Sequence, residues 1–195
     1  GLGAKVAGTT IQHKQGSMKV TENQLDWAIN GPGFFRLLDP ISGQAVYTRN
    51  GAFKQDEQGR LVSNQGYTLD PGVTLQPTQS LSHISEDGRV WVREAGSGIL
   101  TQLTQLSIAN FPNPSGLEAT GNSNYRATSA SGAEILGQPK QNGLGTIVGG
   151  SLETSNVQIV HEMVDLISTQ KAFDTNSKVI TVSDKMMDTA NNLSR

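Results

Sequence analysis

Glycine-rich motifs are the first residues of this sequence that could do chemistry, because backbone amides in glycine loops can bind phosphate groups. Gly31-Pro32-Gly33 precedes Phe34, but a third glycine is missing and a strand pattern follows instead of a helix. Residues 143–150 (GLGTIVGG) lack the Lys-Ser/Thr ending of a phosphate loop. We interpret the first motif as a turn and the second as a flexible hinge, so no cofactor-binding residue is predicted.

Possible metal ligands are also scattered or incomplete. Residues 56–59 (DEQG) and 86–88 (EDG) could open a calcium loop, but neither continues into alternating oxygen ligands and a distant glutamate. We interpret both as turns. His13, His83 and His161 have no second ligand at metal spacing, and cysteine is absent. The sequence therefore predicts no metal site and no disulfide.

The polar residues form no recognisable catalytic pattern. Serine is abundant, but no serine stands in a nucleophile-elbow sequence, and the chain offers no paired-carboxylate arrangement. The prediction is that the protein is not an enzyme and has no catalytic residue.

The overall composition favours a turn-rich β protein, or one that completes its core with another chain. Of 195 residues, 35% are hydrophobic, only 5% are aromatic, and 22 are glycine. The net charge is −2 with no basic block, which argues against nucleic acid as a partner. No run approaches the ~18 apolar residues of a membrane span, so lipid insertion is not expected. No signal segment opens the sequence.

Turn signals divide the middle of the chain into short predicted strands. Asn50-Gly51 is a hairpin signal. Irregular alternation within 103–111 predicts a bulge or a strand covered on both faces. We predict a small sandwich or barrel-like domain over 31–111. Its strands are expected at 34–38, 45–49, 60–62, 67–69, 73–75, 82–85, 89–93 and 103–111.

The flanking segments have a different character. We interpret residues 1–30 as an extended lead-in and residues 112–150 as an extended connector rich in Gly, Pro and Asn. Prolines in the connector should interrupt strand pairing. Residues 154–156 (TSN) could cap a following helix.

Residues 152–195 carry a seven-residue apolar repeat that is typical of a supercoiled helix. Three lysines repeat with the same period on another face. Such a helix would be about 60 Å long and needs a partner helix outside the sequence, because tertiary contact stabilises most helices. The predicted assembly site is this helix seam, namely Ile159, Met163, Leu166, Phe173, Ile180 and Met187, with Val179, Met186 and Leu193 on a parallel line.

Several motifs resemble those of the flagellar basal-body rod and hook protein family. They are residues 23–35 (NQLDWAINGPGFF), 47–53 (YTRNGAF), 152–157 (LETSNV) and 162–167 (EMVDLI). Within the family, residues 113–118 (NPSGLE) and 189–193 (TANNL) look most like the distal rod type. The resemblance covers essentially the whole chain. Family members begin with a long heptad helix that this sequence lacks, and that helix is the expected partner of the 152–195 stripe.

The resemblance implies a structural subunit that stacks helically into a hollow rod. Terminal helices would bundle into an inner tube, with the β domain outside. The rod would transmit torque from the motor to the hook across the periplasm. Implied partners are copies of the chain, proximal rod and hook subunits, surrounding ring proteins and the flagellar type III export apparatus, which needs no cleaved signal peptide.

Three alternatives stay open at this point. The chain could be a proximal rod or hook-type subunit of the same family. It could instead be a surface-exposed β binding module on a helical stalk, which would need the C-terminal helix for display and not for polymerisation. A peptidoglycan hydrolase is a third option, which a cell-wall digestion assay would test.

Overall fold

The protein is mostly β-structure followed by one long helix in the part of the chain that the structure describes, which confirms the predicted fold class. The computed structural model describes Lys5, Gly8 and residues 11–193, except the side chain of Leu193. The chain divides into two compact units between Ser155 and Asn156.

The first unit contains short strands joined by tight turns. In chain order the strands are β1 Met18–Val20, β2 Trp27–Asn30, β3 Phe34–Leu38, β4 Ala45–Thr48, β5 Lys54–Gln55, β6 Leu61–Val62, β7 Thr68–Leu69, β8 Gln79–Ile84, β9 Arg89–Glu94, β10 Leu100–Gln105, β11 Ile108–Asn110, β12 Glu118–Gly121, β13 Asn124–Arg126, β14 Ile135–Gly137, β15 Thr146–Gly149 and β16 Ser151–Glu153. The second unit contains helix α1, Ile159–Leu193.

Strand β3 lies in the middle of the largest sheet. The strand order is β12-β13-β4-β3-β7-β6-β5, with β11 also paired to β3 and β14 paired to β11. Phe34, Phe35 and Leu37 of β3 are all buried, so this strand is covered on both faces. A near-continuous apolar run is expected of such a strand, because neither face meets water.

A second, three-stranded sheet has the order β10-β9-β8. In β9, Val90 and Val92 are buried while Arg89 and Arg93 are exposed, which is the alternation of a strand with one face on the core. The register between β10 and β9 shifts at Leu103, so the irregular alternation of 103–111 corresponds to a bulge followed by a separate strand.

The main core joins residues from both sheets. Trp27 and Phe35 each meet the ring of Phe53 edge-on, with ring centroids 5.4 and 5.3 Å apart. Val90 and Val92 of the second sheet belong to the same buried cluster. Edge-to-face pairs of this kind stabilise a core beyond the burial of their area.

The structure differs from the predicted connector at 112–150. This segment contains four paired strands, β12 to β15, and one short 3₁₀ turn at Pro114–Gly116. Asn122 and Ser123 both take left-handed backbone angles, which turn the chain tightly between β12 and β13. The lead-in also contains paired strands, and Trp27 within it is fully buried.

Two local predictions are corrected. The strands on either side of Asn50-Gly51 do not form a hairpin: β4 pairs with β3 and β13, and β5 pairs with β6. The Gly51 carbonyl instead accepts the backbone N–H of Trp27. The helix begins at Ile159, and the Thr154 hydroxyl, predicted as a cap, donates to the carbonyl of Ser17.

Candidate functional site

The predicted seam residues lie on α1 with their side chains in solvent. Large apolar side chains are normally buried, and a continuous exposed set of them marks an interaction surface. The exposed fractions are 70% for Ile159, 70% for Leu166, 73% for Phe173, 62% for Ile180 and 67% for Met187.

The flanking seam residues are similarly placed. Met163, Val179 and Met186 are exposed, whereas the side chain of Leu193 lies outside the described residues. In a straight helix a seven-residue repeat drifts by about 20° per period, so the stripe turns by about 80° over four periods. A partner helix could therefore follow the whole stripe only if the two helices supercoil around each other. The coiled-coil interpretation stays a prediction.

Small side chains separate the two apolar lines. One line runs through Phe173 and Ile180 (the Phe173 line), and the other runs through Val179 and Met186 (the Val179 line). Helical periodicity places the two lines about 100° apart. Thr169, Asn176 and Ser183 fall between them, at the same seven-residue period. From residue 169 onward the surface therefore has two apolar ridges with a shallow groove, which suits the ridge-into-groove packing of a neighbouring helix.

The threonines of α1 already satisfy their own hydroxyl groups. Thr169, Thr175, Thr181 and Thr189 each donate to a backbone carbonyl three or four residues earlier, at 2.8 Å. Burying an unpaired hydroxyl would be unfavourable, but a hydroxyl bonded inside its own helix can be covered by a neighbour. Of the four, Thr169 lies in the groove, so its hydroxyl can be covered without being left unpaired.

Between residues 169 and 190 most charged residues of α1 lie on the side away from the ridges, whereas nearer the start of the helix Glu162 falls on the groove line and Asp165 on the Val179 line. Lys171, Lys178 and Lys185 share one line, and Asp174 and Asp188 share the adjacent one. Both lines are about 150° from the middle of the groove by helical periodicity. From residue 169 to residue 190 this distribution leaves one face of α1 suited to burial and the other to solvent, whereas Val160, Val164 and Ile167 are exposed on the lines of the charged face near the start of the helix.

The incomplete chemical motifs of the sequence have structural roles. Gly31 and Gly33 have φ angles of 111° and 137°, as the turn interpretation requires. The Asp56 carboxylate accepts the amides of Gln58 and Arg60 within its turn. His13 packs edge-on against aromatic rings, and burial, followed by the charge of Arg49, lowers its pKa.

No group of three or more possible metal ligands occurs among the described residues. Within the same part of the chain, none of the helical structure is long and apolar enough to cross a membrane.

A polar cluster that the sequence did not indicate joins β3, β4 and the loop before β14. Glu134 accepts the Tyr47 hydroxyl at 2.7 Å and the Arg36 Nε at 3.1 Å, and Arg36 also pairs with Asp70. Burial, and then the hydrogen bond to Glu134, raise the pKa of Tyr47 to about 12. The phenol therefore stays protonated as a donor at neutral pH, and the cluster has a structural role.

Comparison with protein families identifies the class to which this fold and exposed helix belong. A family model described as the flagellar hook protein FlgE/F/G D1 domain matches residues 28–92. A second, described as the flagellar basal body rod FlgEFG protein C-terminal, matches residues 148–193 and so includes the stripe. The class is that of the structural subunits of flagellar rods and hooks.

Sequence identity to individual relatives shows which family within this class the chain resembles. The flagellar basal-body rod protein FlgG of Borreliella burgdorferi is 42% identical over 198 residues, which cover 100% of this chain and 74% of the relative. FlgG of Buchnera aphidicola subsp. Schizaphis graminum is 41% identical over 187 residues, 96% of this chain and 72% of the relative. The flagellar hook-basal body complex protein FlhP of Bacillus subtilis is 30% identical over 203 residues, 99% of this chain and 73% of the relative.

The chain belongs to the FlgG family of flagellar basal-body rod proteins, the structural subunits of the distal rod. Its place is the flagellar basal body. The family predicted from the sequence motifs is confirmed, and the homologues are structural proteins and not enzymes.

Proposed function

We propose that α1 is the seam through which copies of this chain polymerise into the distal rod, and that the rod transmits torque from the motor to the hook. The observation that carries this proposal is the exposed stripe on α1. Polymerisation also explains the polar opposite face beyond residue 169, since only one face of that part of the helix needs to meet its neighbours.

The size of the stripe is adequate for such an assembly. Fully burying one large apolar side chain contributes about 1.5–3 kcal/mol, so the described seam residues together would contribute on the order of 10–20 kcal/mol. The loss of freedom on association costs roughly 4–15 kcal/mol. The two ranges overlap, so assembly requires that most of the stripe be covered.

The remaining roles follow from the family. The helices would form an inner tube of supercoiled type, with the β-rich domain on the outside. At its ends the rod would contact proximal rod and hook subunits, and along its length the surrounding ring proteins. The chain would reach the periplasm through the flagellar export apparatus without a cleaved signal peptide, and it would have no catalytic activity.

Deletion of the gene for this chain tests the proposal. The mutant cells are expected to be non-motile, and electron microscopy should show basal bodies whose rods stop before the distal segment. Restoring the gene should restore both features. Rods of full length in the deletion strain would contradict the proposed function.

A further inference from the structure

Glu153 is a nearly buried carboxylate at the end of β16, six residues before α1 begins. Its side chain is only 8% exposed. One carboxylate oxygen accepts the Arg49 Nε at 2.7 Å, and the other accepts the backbone N–H of Gly16 at 2.8 Å. A buried charge with two charge-assisted partners is fixed in position far more firmly than an exposed ion pair.

The rest of the Arg49 guanidinium is bonded to the backbone around the turn after β2. Its two terminal nitrogens donate to the carbonyls of Ile29, Gly31 and Gly33 at 2.9–3.2 Å. The fixed fork of donors in arginine can hold these carbonyls and the Glu153 carboxylate at once, whereas the single ammonium of a lysine cannot. Arg49 therefore joins β4, the turn after β2 and β16.

Glu153 belongs to a two-stranded ribbon, β1 with β16, which we call the stalk. The pair is antiparallel with Met18 opposite Glu153. The chain before Met18 and the chain after Glu153 therefore leave the ribbon side by side. The carbonyl of Ser17 accepts both the amide and the hydroxyl of Thr154 there, at 2.8 and 2.9 Å.

The two chain segments that leave the stalk approach each other so closely that one position requires a glycine. A Cβ built on Gly16 would lie 1.8 Å from the carbonyl oxygen of Thr154. The side chains of Lys19 and Val20 in β1 are exposed, so this strand contributes little to the apolar core. Polar contacts, and not apolar packing, hold this end of the stalk.

We propose that Arg49 and Glu153 form a clamp that fastens the stalk to the β unit, so that force reaching the stalk along the chain from α1 passes into the sheets through this ion pair. This proposal rests on the proposed function, because it concerns the path of force within a rod subunit. Without the clamp, the stalk would be held by the Ser151 amide, which donates to the carbonyl of Asp26 at 3.2 Å near the other end of β16. At the clamp end, the Gln15 side chain would still accept the amide of Gly31 at 2.9 Å and donate to the Asn30 side chain at 3.2 Å. Force would then peel the stalk away more easily, because these neutral hydrogen bonds are weaker than charge-assisted ones.

Hydrogen exchange on the purified full chain tests the clamp. In Glu153→Gln the amides of residues 18–20 and 151–153 should exchange at least about tenfold faster than in the wild type, because a charge-assisted hydrogen bond is lost. Residues 34–38 and 89–94 should change by less than about twofold, since their pairing does not involve the clamp. Arg49→Lys keeps the positive charge but removes the forked donors of the guanidinium. It should give the same pattern, which would show that the geometry of the clamp matters and not its charge alone.

Glu86→Gln is the matched control. Glu86 pairs with Lys140 at 3.0 Å, but both side chains are more than 60% exposed, so the same chemical change should leave exchange in the stalk unaltered. Unchanged exchange at residues 18–20 and 151–153 in both clamp variants would overturn the proposal. Faster exchange across the whole β unit would also overturn it, because the pair would then stabilise the fold in general.

Swimming under load tests separately whether the clamp transmits force. Cells with Glu153→Gln should assemble rods of normal length but swim more slowly than Glu86→Gln cells in viscous medium. Full swimming speed under load would refute the force path while leaving the proposed function intact. Failure of the proposed function itself is detected separately, by full-length rods in the deletion strain.

Discussion

Phe173→Asp is expected to abolish rod assembly while leaving the thermal unfolding of the β unit unchanged. Phe173 is 73% exposed in the free chain, so an aspartate there meets water and the monomer tolerates it. In the rod the same position would be covered by a neighbouring helix, where an unpaired charge costs several kcal/mol, roughly. The loss recurs at every subunit, so the polymer should fail.

Electron microscopy of basal bodies and a swimming assay measure this effect. Lys178→Asp is the control, because Lys178 lies on the charged side of the helix and surface charges contribute little to stability. It should leave rods and motility in place. Normal rods with Phe173→Asp would show that the stripe is not a seam between subunits.

Gly51→Ala is expected to destabilise the β unit by about 3 kcal/mol. Gly51 lies against β2, where a Cβ would come within 1.7 Å of the carbonyl oxygen of Trp27. This contact is with backbone, so the added methyl group must push apart two segments that the Trp27 amide and Gly51 carbonyl join at 3.0 Å. Urea unfolding of the purified chain should show a lower midpoint with an unchanged slope.

Gly96→Ala is the comparison for this substitution. A Cβ at Gly96 meets no atom within 4 Å, and the exposed turn that holds it has room for the methyl group. Its unfolding midpoint should match the wild type or rise slightly, because alanine restricts the unfolded chain. Equal midpoints for Gly51→Ala and Gly96→Ala would mean that the approach of Gly51 to β2 is not as close as the structure has it.

The parts of the fold that could be predicted from the sequence are those with a local signal. The apolar run of β3 and the alternation of β9 each follow from the environment of a single strand. The segment 112–150 was harder, because its prolines and glycines signal turns equally well in a connector and between paired strands. Its strands are stabilised by partners distant in sequence, such as β4 for β13 and β2 for β15.

The candidate site also contains features that could be predicted from the sequence and features that could not. The stripe on α1 could be predicted because a helix converts sequence spacing directly into a face. The clamp could not, because Arg49 and Glu153 are 104 residues apart, and the two family motifs that contain them do not show that they pair. Glu134 and Arg36, 98 residues apart, were missed for the same reason. Their pairing depends on the sheet topology, which local patterns do not specify.

Chemical protection of the stripe in assembled rods tests the central claim most directly. The chain contains no cysteine, so Ile180→Cys and Lys178→Cys each introduce a single reactive thiol, two residues apart on different sides of α1. Both thiols should react with a maleimide in the free chain, because both positions are exposed there. In purified basal bodies, we expect the thiol at position 180 to be protected and the thiol at position 178 to react. Equal reaction at both positions in the rod would contradict the assignment of the stripe as the subunit seam.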